Sequence, residues 1–78
     1  MRPLEKRLIV AFFTTHDAMA FEDFCASKGA PGRLIPLPRA ISAGCGLAWS
    51  APPGDGEKVR KLLDEAGIRA QHLKELEI

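Results

Sequence analysis

The chain has 78 residues, 46% of them hydrophobic and 27% charged, with a formal net charge of +1. That is enough for one domain, residues 1–78, whose core is thin because so short a chain buries only about 60% of its unfolded surface. The near-neutral balance excludes the global field that gathers nucleic acid. No apolar run nears the roughly 18–20 residues that cross a bilayer.

The N-terminus, MRPLEKRLIV, carries Glu5 and an apolar stretch too short for a secretory leader, so the chain reads as cytoplasmic. In a reducing compartment its two cysteines, Cys25 and Cys45, read as free thiols. They form no Cys-x-x-Cys pair, which argues against a dithiol redox motif or a zinc knuckle.

Residues 7–13, RLIVAFF, form a short apolar run of strand formers and predict a buried first strand. Thr14 or Thr15 then caps a helix over 16–28, with Asp17 in its first turn. Ala18, Phe21, Phe24 and Cys25 recur at helical spacing, with Glu22, Asp23 and Lys28 on the other side, and Gly29 stops the helix. Residues 33–37, RLIPL, predict a second strand, and Pro36 places it at a sheet edge because it has no N–H to donate. Residues 38–45 read as a loop and 46–51, GLAWSA, as a third strand, with Leu47 and Trp49 alternating onto the core face. Pro52-Pro53-Gly54 breaks that strand. Asp55 is placed to cap a second helix, whose apolar face is Val59, Leu62, Leu63 and Ala66 and whose end is Gly67. Residues 68–76 predict a last strand with Ile68, Ala70, Leu73 and Leu76, although the alternation slips and His72 and Lys74 interrupt it.

The order strand, helix, strand, strand, helix, strand predicts an α+β fold. With right-handed crossovers it is the ferredoxin-like split βαβ sandwich (βαββαβ), a four-stranded antiparallel sheet with both helices on one face. In that topology the start of the third strand shares an end of the domain with the start of the first helix. Cys45 is thus expected near Phe13, Thr14, Thr15 and His16. Cys25, about ten residues into the helix, lies roughly 15 Å from that end. A Cys25–Cys45 disulfide, which needs Cα atoms within about 7 Å, is not expected.

Cys45 is the candidate for chemistry. It stands between Gly44 and Gly46, which remove side-chain bulk around the sulfur. A nearby helix N-terminus, Arg39 in the same loop and His16 in the first turn would each favour a thiolate or a bound anion. Cys25, by contrast, falls on the apolar stripe and reads as core. Cys45 and His16 alone are too few ligands for zinc, so no metal and no cofactor are expected.

Three stretches carry a resemblance: Phe13-Thr14-Thr15-His16-Asp17-Ala18, Gly32-Arg33-Leu34-Ile35-Pro36-Leu37-Pro38-Arg39, and Ile41-Ser42-Ala43-Gly44-Cys45-Gly46-Leu47-Ala48. With its Pro-x-Pro-Arg-x-Ile-Ser-x-x-Cys-Gly-Leu pattern, the chain resembles a small bacterial family of selenium/sulfur (Se/S) carrier protein-like domains. The similarity spans nearly the whole chain. The resemblance implies that Cys45 bears a persulfide or a selenium adduct for transfer between partner proteins, a donor and an acceptor. Arg39, His16, Thr15, Ser42, Gly44 and Gly46 are its expected surroundings.

A carrier is expected rather than an independent enzyme, since no base and orienter accompany the thiol. The alternative is a non-catalytic ferredoxin-like module whose loop, residues 37–46, binds an anion or a partner. Pro36 discourages pairing at one sheet edge. The last strand, at the other edge, is where a homodimer would form.

Overall fold

A computed structural model of the protein describes residues 5–42, 44 and 46–77. Its elements run β1 (Lys6–Phe12), α1 (Thr15–Lys28), β2 (Arg33–Pro36), β3 (Leu47–Ala51), α2 (Gly56–Ala66) and β4 (Ala70–Glu77). This is the expected βαββαβ order, with boundaries within two residues of those read from the sequence.

The helix ends show why the boundaries fall where they do. Thr14 has extended backbone, and its hydroxyl accepts the Asp17 N–H at 3.1 Å, so Thr14 rather than Thr15 is the cap. Gly29 adopts the left-handed conformation at φ 68°, and Ala30 N–H returns to the Cys25 carbonyl at 3.0 Å. Gly67 ends α2 the same way, at φ 70°, with Ile68 N–H bonded to the Leu63 carbonyl. Asp55 corrects an expectation. It occupies the cap position of α2, but its carboxylate makes no capping bond. Its backbone, at φ −89° and ψ 16°, lacks the extended conformation that aims a side chain at the first-turn amides.

The four strands lie in the order β2-β3-β1-β4, and every neighbouring pair is antiparallel. β2, with its Pro36, is an edge strand as expected. Opposed residues share a face, so the register sorts the side chains. One row reads Leu34, Trp49, Val10, Leu73 across the sheet, and the next reads Ile35, Ala48, Ala11, His72.

The first row belongs to the main core. Ala18, Phe21 and Cys25 of α1 and Val59, Leu62 and Leu63 of α2 pack on Leu8, Val10, Phe12, Trp49 and Ala51. Both helices therefore cover the same face. Phe21 is the centre, 5.6 Å from the Phe12 ring and 5.5 Å from Trp49, the latter edge-on at 81°. Such aromatic pairs add to the free energy of burial.

The second row has its own apolar cluster. Ile9, Ala11 and Ala48 are roofed by Ile41, with Ile35, Leu37 and Leu76 at the margins. Ile41 comes from the loop between β2 and β3 and is only 4% exposed. That loop folds back over the outer face of the sheet, a position its sequence does not announce.

β4 explains the slipped alternation. Ala11 pairs with His72 and Phe12 with Ala70, so Gln71 is an extra residue in a β-bulge. The bulge lets Ala70 and Leu73, three apart, both pack on the helix side, while Leu76 turns to the outer cluster.

Cys25 is a free thiol, fully buried among these helix-side residues. Burial pushes it up from 9.0 to about 11. The unfolded thiol ionises at the lower value, so between the two the folded state binds more protons. Stability is then unaffected below about pH 9 and falls as pH rises toward 11, by roughly 2–3 kcal/mol in total. Urea denaturation at pH 7.5 and 10.5 should show that extra loss in the native chain and not in Cys25→Ala. Equal losses in both would refute it.

Candidate functional site

The candidate site lies on the connection between the short strands β2 and β3. Leu37 N–H donates to the Gly46 carbonyl at 3.0 Å, which extends the β2–β3 ladder by one step and closes the base of the loop. A turn follows, with Ile41 N–H on the Pro38 carbonyl at 3.0 Å and Arg39 and Ala40 exposed at its tip. Ile41 then plugs the outer cluster, and the chain returns through Ser42 and Gly44.

The returning half rests on two other elements. Gly44 lies so close to the end of β1 that an added Cβ would be 2.5 Å from the Phe13 carbonyl oxygen. Its N–H donates to Gln71 Oε1 at 3.0 Å. The Ser42 carbonyl accepts from His72 Nε2 at 2.9 Å. A carbonyl can only accept, so Nε2 carries the proton in this contact. Gly46, in contrast, has open space where a Cβ would go.

Cys45, the expected chalcogen-bearing residue, lies outside the described residues, as does Ala43. Its chain neighbours do not. Gly44 stands against Phe13, beside the start of α1, the end of the domain where the sequence places this part of the loop. Thr15 is the first residue of α1 and is exposed. The His16 side chain is 92% exposed, with Nδ1 3.9 Å from Asp17 Oδ1. Among the described residues, neither Thr15, His16 nor Arg39 makes a side-chain hydrogen bond or ion pair to the loop. Ser42 and Gly44 enter through backbone atoms.

Gln71 and His72 support the loop, and neither stands among the site residues expected from the sequence. Their signal was present as the interrupted alternation of the last strand. The bulge falls in the three-residue step from Ala70 to Leu73, and a bulge re-aims side chains. No group of three or more His, Cys, Asp or Glu side chains that could hold a metal ion occurs among the described residues. Among them, no helix is long and apolar enough to cross a membrane.

The protein-family model described as "Putative Se/S carrier protein-like" matches residues 7–75, from β1 into β4 and across the whole loop. No curated protein and no solved structure matches the chain. With that match covering most of its length, the chain belongs to the Putative Se/S carrier protein-like family.

Proposed function

We propose that the protein carries sulfur or selenium on Cys45 between a donor and an acceptor protein in the cytoplasm, on a ferredoxin-like sandwich. The observation that carries this reading is the family match, which spans the loop holding Cys45. The state of the other thiol supports it. Cys25 is fully buried in the helix-side core, so it is withheld from attack on an adduct. A persulfide with no second thiol at hand does not collapse to a disulfide.

The transfer balances without an outside oxidant. The Cys45 thiolate attacks the outer sulfur of a donor persulfide. A new S–S bond forms on Cys45, the donor S–S bond breaks, and the donor cysteine leaves as a thiolate. An acceptor nucleophile then takes the terminal sulfur and restores the Cys45 thiolate. Selenium follows the same sequence. In this reading Arg39 and the N-terminus of α1, with His16 when protonated, would favour the anion in each resting state, and Thr15, Ser42, Gly44 and Gly46 are its expected surroundings.

The competing reading is a binding module whose loop holds an anion. It is weakened at one point, because the Gly44 N–H already donates to Gln71 and has no donor to spare. The pH profile of Cys45 alkylation separates the two. For a carrier the midpoint falls below the roughly 8.5 of an ordinary cysteine, and for a module it stays there. Arg39→Ala should raise the carrier's midpoint by on the order of one unit, since a guanidinium keeps its charge throughout. It should leave stability nearly unchanged, because Arg39 is exposed at a loop tip. An unshifted midpoint in Arg39→Ala removes that residue from the site.

A further inference from the structure

Two consecutive residues of β4 hold the loop just ahead of Cys45. Gln71, the bulge residue, accepts the Gly44 N–H, and His72 donates to the Ser42 carbonyl. On the other side of Cys45, the Gly46 carbonyl is fixed by Leu37 N–H. Both chain neighbours of Cys45 are therefore tied by hydrogen bonds to strands or strand ends. We propose that Gln71 and His72 are positioning residues that set the orientation of the Cys45 thiol, a role that rests on the carrier reading of Cys45.

The fold alone does not call for this pair. Ile41 already roofs the outer apolar cluster. The His72 and Gln71 bonds lie at the surface, where a hydrogen bond adds little to net stability. A regular β4 would pair with β1 without a bulge. The extra residue instead lifts Gln71 out of the ladder and leaves its amide aimed at the loop. The contacts fall on backbone atoms, so they fix the path of the chain whatever side chains the loop presents. A reactive group held by its own backbone loses less orientation at each turnover.

The test uses shape-conserving losses, Gln71→Met and His72→Phe, with His72→Gln keeping an N–H donor. Three quantities are read on each full-length variant: melting temperature, the pH profile of Cys45 alkylation by iodoacetamide, and the rate of sulfur loading from a cysteine desulfurase with cysteine. Both loss variants should load roughly three- to tenfold more slowly. Their alkylation midpoints should move up toward that of an ordinary cysteine, while a folded melting transition is retained. His72→Gln should recover most of the native profile, because it restores an N–H donor to the Ser42 carbonyl. Unchanged or lowered midpoints with native loading rates in both loss variants overturn the proposal. If the native chain fails to load at all, the carrier reading fails, and the alkylation profiles still decide whether the pair positions the thiol.

Discussion

Gly32→Ala is expected to unfold much of the protein's stability margin, lowering the melting temperature by roughly 10–30 °C. Two independent costs meet at this residue. Gly32 has φ 146°, a conformation that side-chain-bearing residues rarely adopt. A Cβ there would also lie 2.6 Å from Trp49 Cζ2 and 2.7 Å from Cε2 and Nε1. The indole cannot swing clear, because it is 3% exposed and braced edge-on by Phe21. Backbone strain of about 1–3 kcal/mol and overpacking of about 1–3 kcal/mol together rival the margin of a small domain. Circular dichroism melting curves measure this directly. A shift of only a few degrees would mean that the turn before β2 relaxes away from Trp49.

The second large effect separates the two glycines that flank Cys45. Both read, from sequence, as openings around the sulfur. The structure divides them. Gly44→Ala would press a methyl group against the Phe13 carbonyl at 2.5 Å, and a backbone oxygen has no rotamer by which to escape. The loop must lift, and the bond from Gly44 N–H to Gln71 is lost with it. A cost of about 1–3 kcal/mol is expected, with a marked slowing of Cys45 alkylation. Gly46→Ala meets no atom within 4 Å, and its backbone is not left-handed. It should stay within about 0.5 kcal/mol of the native chain. Denaturant titration with alkylation kinetics on both variants checks the contrast. If Gly46→Ala proves the more damaging, the packing of the loop has been assigned to the wrong glycine.

The helices and the sheet edge were readable because their signals are local. Thr14, Asp17 and Gly29 bracket α1 within one stretch of chain, and Pro36 declares its edge through a missing N–H. Trp49 and Leu47 followed the two-residue period of a strand and landed on the helix side. What stayed hidden depends on partners distant in sequence. Ile41 is one apolar residue among loop residues, and only the empty outer face of Ile9, Ala11 and Ala48 gives it a place to go. Gln71 reaches Gly44 across 27 positions and His72 reaches Ser42 across 30, distances at which local pattern carries no information. The bulge appeared in sequence only as a broken rhythm, which shows that a register changes without showing what the freed side chain touches. Asp55 misled for the opposite reason. Its residue type suits a cap, but the turn after Pro52 gives it the wrong backbone angles.

The sequence offers Cys45 as the candidate for chemistry and reads Cys25 as core, and the burial of Cys25 agrees with the second assignment. Arg39, at the loop tip, and His16, on an exposed first turn, remain proposals because charge near a thiol is a matter of distance rather than composition.

Cys45 is proposed to accept a chalcogen atom and pass it on. Intact-mass measurement after incubation with a cysteine desulfurase and cysteine tests it most directly. The native chain and Cys25→Ala should each gain about 32 Da, one sulfur atom, and lose it again to dithiothreitol, while Cys45→Ala gains nothing. No mass gain on the native chain, or a gain that persists in Cys45→Ala, would contradict it.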